Sequence, residues 1–496
     1  MNINPLLLID GYKLDHRRQY PEGTQAVYSN WTPRDSRVND QDAVIFLGLQ
    51  YFLMKYLQRD MNQFFFQRHK DIVVAEYKEF VDKYLGPNNI GTDHIEALWD
   101  LDYVPLRFKA VPEGTAVPIR VPMLVVENTK PEFFWLVNYF ETLMSACLWM
   151  PSTSATTAWR LRKLLDKYAA LTGSPAEFVD WQGHDFSMRG MAGPEAACLS
   201  GLGHLAFFTG TDTIPAIEFA NTYYDSWVWD DDYEADWDSY IVGGSVPATE
   251  HSVMCAGGAE SELQTFQRIL NLYPAGIVSV VSDTWDLWKV CTELLPTLKD
   301  QILARDGKLV IRPDSGNPAD IICGDKTATP GSPAYRGVIE LLWETFGGTT
   351  TSTGHKLLDS HIGCIYGDSI TFDRAQDILE RLSAKGFASA NMVFGVGSYS
   401  YQYVTRDTYG FAMKATWAQV HGQPVDMFKQ PVTDNGMKNS AKGRLAVIPD
   451  ENGKLTLINQ ADPHQEAQSV LETVWEDGHF VKAYGLSEIR ATARKQ

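Results

Sequence analysis

The sequence predicts an α/β protein in which a parallel sheet is covered by helices, with a barrel favoured over an open doubly wound sheet. Three observations predict it. From about residue 155 onward, short apolar runs of β character recur at 276–283, 309–316, 362–368 and 392–397. Helical patterns such as 338–345 and 375–385 lie between some of them, and strands alternating with helices build parallel sheets. Each run ends in a polar or glycine-rich tip, and barrels carry their functional residues where strands end. The 496 residues also exceed one ordinary domain of roughly 150 residues.

The N-terminal region mixes patterns. Residues 42–58 and 72–84 place apolar side chains at helical spacing. Residues 106–128 read as strands broken by Pro112, Pro118 and Pro122, which suits edges and turns. A helical stretch at 132–149 leads into the repeating region. Between Tyr223 and Tyr240 stand seven carboxylates, seven aromatic residues and no Lys or Arg. That composition fits an exposed acidic excursion pinned by its rings, with a partner-binding or metal-binding loop as alternatives. The last segment, 411–496, is mixed again and locally basic through Lys414, Lys429, Lys438, Lys442 and Arg444, which on charge alone reads as solvated surface.

Composition excludes several classes of function. Apolar residues at 44% and charged residues at 21% rule out a largely disordered or fibrous chain. The net charge, 43 − 62 = −19, argues against binding nucleic acid or lying on an anionic membrane, since both need a basic face. A small anionic ligand remains compatible, because a pocket needs only a few local cations. No run of about eighteen apolar residues exists to span a bilayer. The apolar run at 5–9 is too short for a signal core, and Lys13 follows it. Cys147, Cys198, Cys255, Cys291, Cys323 and Cys364 lie far apart and read as reduced thiols of a cytoplasmic protein.

The chemistry sits at the tips. Arg312-Pro313-Asp314-Ser315-Gly316 offers one cation, one carboxylate and a flexible turn. It suits a phosphorylated sugar: the guanidinium pairs with phosphate or stacks on a flat ring, and the carboxylate holds ribose hydroxyls or a metal-bound diphosphate. The same letters also make a generic turn. Gly367-Asp368-Ser369 and Gly395-Val396-Gly397-Ser398 end runs in the same way, and bare N–H groups at glycine tips bind anions. His251 follows Glu250 at another tip. It is either a satisfied histidine or a catalyst whose second ring nitrogen Asp283 would orient if the strands are adjacent. His184-Asp185-Phe186 with Arg189-Gly190 makes a further tip, and Asp212 in Gly210-Thr211-Asp212-Thr213 faces a ligand or caps the next helix.

Taken in order, these and other segments carry a resemblance. They are Asp10-Gly11-Tyr12-Lys13 with Gln19-Tyr20-Pro21, Ala110-Val111-Pro112-Glu113-Gly114, Val126-Glu127-Asn128-Thr129, the His184, Arg189 and Asp212 tips, Ser245-Val246-Pro247 with Glu250-His251-Ser252, Ser279-Val280-Val281-Ser282-Asp283, Arg312 to Pro318, and Lys442-Gly443-Arg444. Along nearly its whole length the chain resembles the nicotinamide phosphoribosyltransferase family. The resemblance implies an irregular (β/α) barrel of the type II phosphoribosyltransferase kind at 151–410, plus an α/β domain built from both chain ends, 1–150 with 411–496. It implies a homodimer with shared sites that joins nicotinamide to 5-phosphoribosyl 1-pyrophosphate, giving nicotinamide mononucleotide and pyrophosphate. ATP hydrolysis through a phosphorylated histidine drives the reaction in this family, and Mg2+ accompanies the diphosphate.

By matched position the phosphorylated histidine is His251, tuned by Glu250 and Asp283. Phe186 stacks on one face of the pyridine ring and the partner subunit's Tyr12 covers the other. Asp212 accepts from the carboxamide, and Arg312 lies along the ring and near phosphate. Asp314 holds ribose, Gly367 and Asp368 hold ribose and its phosphate, and Arg189 meets the diphosphate. The phosphate loop falls on Gly397 and Ser398, while Arg406, Lys414, Lys429 and Arg34 supply cations across the dimer interface. This loop is poorer in glycine than the family pattern, so that Ser398 crowds or hydrogen-bonds the phosphate, and 225–238 looks like an insertion. Alternatives are a nicotinate or quinolinate phosphoribosyltransferase, against which Asp212 speaks, and a non-catalytic nucleotide-binding signalling protein. Against the last stand His251, Asp314, Asp368 and Arg406 together.

Overall fold

The computed structural model describes residues 3–224, 242–367, 369–429 and 440–496. The acidic aromatic stretch at 225–238, Lys438 and Asp368 therefore lie outside the described residues. The chain forms two compact units. One comprises the described parts of Met1–Thr156, Phe219–Ala235 and Val404–Gln496, the other those of Thr157–Glu218 and Asp236–Tyr403.

The second unit holds six parallel strands in the spatial order Gly210–Thr211, Gly183–Asp185, Met392–Val396, Ile362–Tyr366, Asp306–Arg312 and Ala275–Val281. Both edges of this sheet pair with one further segment, through bridges Gly210 to Gly244 and Ala248 to Ser279. The Thr211 N–H donates to the Gly244 carbonyl and the Ser279 N–H to the Pro247 carbonyl, each at 2.9 Å. The sheet thus curls into an irregular barrel, which decides against the open doubly wound alternative. Proline within the closing segment lacks a donor, so no full ladder can form there.

Strand alternation sorts the side chains. Along Asp306–Arg312, Leu309 and Ile311 are fully buried, whereas Lys308, Val310 and Arg312 line a cavity inside the barrel. The two predicted helices appear as Val338–Phe346 and Phe372–Ala384. The second starts where the Thr371 hydroxyl accepts from the Arg374 N–H, and buries Ala375, Ile378, Leu379 and Leu382, the spacing of one helical face.

The first unit is built on a seven-stranded antiparallel sheet that draws on both chain ends, in the order Gln423–Asp426, Ala412–Val420, Thr24–Thr32, Leu124–Asn128, Leu106–Ala110, Glu472–Glu476 and His479–Phe480. Arg444, read as surface from charge alone, instead pairs with Glu127 at 2.9 Å and Glu466 at 2.6 Å and lies 4.6 Å from the Tyr28 ring centroid. Region 42–58 also differs from the helix expected. It opens with the strand Ala43–Ile45 and turns helical only at Leu49, because the apolar run before Gly48 fits either period and Gly48 sits at φ +106°, a conformation that other residues avoid.

Glu113, nearly fully buried, holds that helix start. Its carboxyl group accepts from the Gly48 N–H at 2.8 Å, the Gln50 N–H at 2.7 Å and the Tyr224 hydroxyl at 3.1 Å. Burial pushes the carboxyl up from 4.5 to about 7, against the pull of those donors. The folded protein therefore holds this proton more tightly than the unfolded chain. Its contribution is full below about pH 4.3 and is lost as pH rises through about 7. We expect urea unfolding to show a loss on the order of 3 kcal/mol across that window, with a flatter profile in Glu113→Gln; equal slopes would remove Glu113 as the cause.

Candidate active site

The site forms at the C-terminal ends of the parallel strands. After Asp306–Arg312 the chain turns at Gly316, φ +88°, and enters the helix Pro318–Cys323, where the Asn317 side chain accepts from the Ala319 and Asp320 N–H groups. Asn317 and Pro318 are thus a helix start. Asp283, at the neighbouring tip, fixes the turn: its Oδ2 accepts from the Asp314 N–H and the Ser315 N–H, both at 2.9 Å, and from the Ser315 hydroxyl at 2.6 Å.

His251 opens the helix His251–Cys255. Its Nε2 lies 3.2 Å from Asp314 Oδ1 and 4.0 Å from Asp283 Oδ1, while Nδ1 lies 3.1 Å from the Thr284 hydroxyl. Asp283 is the expected neighbour, although it shares the Nε2 side with Asp314 and Thr284 takes the second nitrogen. Glu250 accepts from the Ser252 hydroxyl. Asp283 Oδ1 is buried and has no hydrogen-bond partner among the described residues. Ligand atoms of His251, Asp283 and Asp314 all fall within 4.8 Å of one another, and the two carboxylates are of the kind that could hold a hard cation.

These tips border a cavity of about 600 Å3 that Arg189, Gly367, Gly397 and Ser398 also line. The Ser398 side chain packs against Gly190, where an added Cβ would come within 2.1 Å of its Oγ. A second cavity, about 380 Å3, runs inside the barrel and shares Phe186, Asp212, Ala248 and Arg312 with the first. Phe186 is held by its N–H on the Val396 carbonyl at 2.9 Å, and its ring lies 4.6 Å from that of His184. Asp212 accepts from His184 Nε2 at 2.9 Å and from the Ser245 hydroxyl. Burial alone would raise its pKa, but those bonds and the Arg312 charge outweigh it and hold Asp212 below the usual carboxylate range. An ionised acceptor therefore faces the cavity beside an aromatic ring.

The remaining expected residues belong to the first unit. Tyr12 is 63% exposed and donates to Asp10. Arg406 pairs with Asp407 at 3.0 Å. Arg34 and Lys414 line a cavity of about 310 Å3 together with Arg120. The Lys429 N–H donates to the Ser440 hydroxyl. Burial lowers the Lys414 pKa, Glu141 opposes, and Arg34, Lys429 and Arg406 add to the lowering.

Residues 181–479 match the nicotinate phosphoribosyltransferase (NAPRTase) family, and residues 4–94 match the N-terminal domain of nicotinamide phosphoribosyltransferase. The nicotinamide phosphoribosyltransferase of Acinetobacter baylyi is 51% identical, over 100% of this chain and 98% of its own. The chain belongs to the nicotinamide phosphoribosyltransferase family. As a member it is a pentosyl-transferring enzyme that performs phosphoribosyl transfer in NAD salvage. Two solved structures share the fold. A nicotinate-nucleotide pyrophosphorylase from Pyrococcus furiosus has TM-score 0.60 at 15% identity, covering 99% of this chain and 95% of that one. Human nicotinic acid phosphoribosyltransferase has TM-score 0.53 at 18% identity, covering 99% and 93%.

Sequence reasoning missed the residues that set the two key side chains: His184 and Ser245 on Asp212, and Thr284 on His251. The signal was present for the first two, since both stand in segments that carry the family resemblance. Thr284 directly follows Asp283, and only the position of His251 across the tip gives it a partner.

Proposed function

We propose that the enzyme transfers the 5-phosphoribosyl group of 5-phosphoribosyl 1-pyrophosphate to nicotinamide, giving nicotinamide mononucleotide and pyrophosphate. The observation that carries this reading is the ionised Asp212 beside Phe186: an acceptor suited to an amide N–H and hostile to a carboxylate. In the transfer, the bond from the anomeric carbon to the pyridine nitrogen forms as the bond to the diphosphate oxygen breaks. Positive charge builds on the sugar, so the protein must position both partners and neutralise the leaving group. Asp314 and Gly367 are assigned to ribose, as by matched position is Asp368, which lies outside the described residues. Arg189, Gly397 and Ser398 are assigned to phosphate oxygens, and Arg312 to the ring edge and phosphate. Asp283 and Asp314 would hold Mg2+, which supplies neutralisation of diphosphate charge when bound.

The same reading makes His251 the acceptor of a phosphoryl group from ATP, with Glu250 and Asp283 tuning it. With its Nε2–H donated to Asp314, Nδ1 carries the lone pair, which accepts from the Thr284 hydroxyl at rest and is the nucleophile once that hydroxyl turns aside. An N–P bond forms there as the bond to the β-phosphate oxygen breaks and ADP leaves. Formation of nicotinamide mononucleotide from the two substrates, with ATP present, tests the whole reading; a chain that makes only the acid mononucleotide would overturn it.

We further propose a homodimer in which the partner subunit's Tyr12 closes the ring site and Arg34, Arg406, Lys414 and Lys429 reach phosphate. Tyr12 is solvent-facing on its own unit, as such a role requires. Inactive Tyr12→Ala and Asp314→Ala chains, dissociated and reassembled together, should recover roughly a quarter of wild-type activity, because half of the dimers are mixed and each mixed dimer has one intact site. Reassembled mixtures that stay inactive while wild-type controls recover would rule out sharing.

A further inference from the structure

Tyr12 is largely exposed, so its own unit covers little of the ring, and its place depends on how the turn beneath it is held. That turn, Gly11–Asp15, is pinned at two points to the first turn of the helix Glu141–Thr172. Asp10 accepts from the Thr142 hydroxyl at 2.7 Å and from the Tyr12 hydroxyl at 3.2 Å. The Lys13 side chain is only 3% exposed and its ammonium pairs with Glu141. Tyr12 stands between the two pins. Gly11 leaves no slack, since an added Cβ would come within 2.2 Å of the Tyr84 hydroxyl oxygen.

Other contacts orient the ring itself. Lys13 Nζ lies 5.5 Å from the Tyr12 ring centroid, within cation–π reach, and the His16 ring lies 5.5 Å away, tilted by 43°. Partial burial and the Asp10 and Glu141 charges push the Tyr12 hydroxyl up from its ordinary value, with Arg406 opposing. The hydroxyl therefore stays protonated and keeps Asp10 as its acceptor. A buried Lys–Glu pair adds little net stability, because desolvation offsets the attraction, yet losing one partner leaves the other charge uncompensated. What such a pair supplies is register, and the exposed residue whose register it sets is Tyr12.

We propose that Lys13, Glu141 and Thr142 are positioning residues that pin the 10–13 turn, so that Tyr12 covers the base bound in the partner's site. The inference rests on the shared-site reading above and names the side chains that make the sharing work. The effect of each variant then falls on the partner's site and not on the site of its own chain. Loosening the pin loses part of the ring coverage, and an aromatic contact of this kind amounts to about five- to tenfold in affinity.

Mixed dimers, isolated through different affinity tags on the two chains, separate this role from a merely structural one. In the Lys13→Met homodimer the KM for nicotinamide is expected to rise about five- to tenfold, with kcat within about twofold of wild type, since only binding of the base is weakened. With Lys13→Met on one chain and Asp314→Ala on the other, the one working site receives an unaltered turn, and KM should return to the wild-type value. With both changes on one chain and a wild-type partner, the one working site receives the altered turn, and KM should stay raised. Thr142→Val removes a single hydroxyl and should show the same pattern at about threefold, which keeps the test open if Lys13→Met fails to fold. A KM raised in the first mixed dimer, normal in the second, or unchanged in both variant homodimers would each overturn the proposal. If Tyr12→Ala and Asp314→Ala chains complement while these dimers show the reversed pattern, sharing stands and only the positioning role falls; if those chains fail to complement, both fall together.

Discussion

Replacing Asp212 with serine is expected to narrow the preference for nicotinamide over nicotinate by about two decades. The two bases have nearly the same shape, so packing cannot separate them; one offers amide N–H donors and the other is an anion at neutral pH. Hydrogen bonds from His184 and Ser245, with the Arg312 charge, keep Asp212 ionised throughout the neutral range. At about 4 Å and an effective dielectric near 20, repulsion of a carboxylate amounts to roughly 4 kcal/mol, or about three decades. The Asp212 side chain is 40% exposed, so solvent screens part of this and about two decades should remain. The variant also loses an acceptor for the amide, which should lower kcat/KM for nicotinamide by about tenfold or more. A site organised around a hydrogen bond rejects the wrong partner better than an apolar pocket does. The measurement is kcat/KM for both bases, wild type and variant, at fixed pH and salt. An unchanged ratio would remove Asp212 as the discriminator, and wild-type use of nicotinate as readily as nicotinamide would favour the nicotinate alternative.

Replacing His251 with alanine is expected to abolish nicotinamide-dependent ATP hydrolysis, a fall of about a hundredfold or more, while weak nucleotide synthesis survives. The two outcomes separate because Phe186, Asp212 and Arg312 are held by other partners, and Asp314, whose carboxylate loses its bond to Nε2, keeps its backbone N–H on Asp283. Acid-labile phosphate on the chain after incubation with ATP gives the direct readout, and wild-type levels of it in the variant would exclude His251. Thr284→Val should keep the labile phosphate, since that side chain only orients a nitrogen that phosphorylation occupies.

The parts of this enzyme legible in its sequence are those that short-range rules produce. Short apolar runs located the strands 275–281, 306–312, 362–366 and 392–396 within a few residues, because each buries as a unit. The polar tips followed from where those runs stop. Region 42–58 was misread because five consecutive apolar residues, 43–47, fit both periods and the deciding conformation belongs to Gly48. Arg444 was misread because its partners Glu127 and Tyr28 lie more than three hundred residues away in the chain.

The sequence by itself thus determined the alternation of strands and helices, the placing of charge and glycine at strand ends, and, through ordered motifs, membership of a phosphoribosyltransferase family. Only the tertiary structure decided that Gly244 and Ala248 bridge the two sheet edges, that His184 and Ser245 keep Asp212 charged, that Asp283 shares one nitrogen of His251 with Asp314, and that Lys308 lines the cavity inside the barrel. Local pattern reports how each segment buries its own faces, whereas a side chain's charge state and partners depend on which strands become neighbours, and the spatial order of strands here differs from their order in the chain.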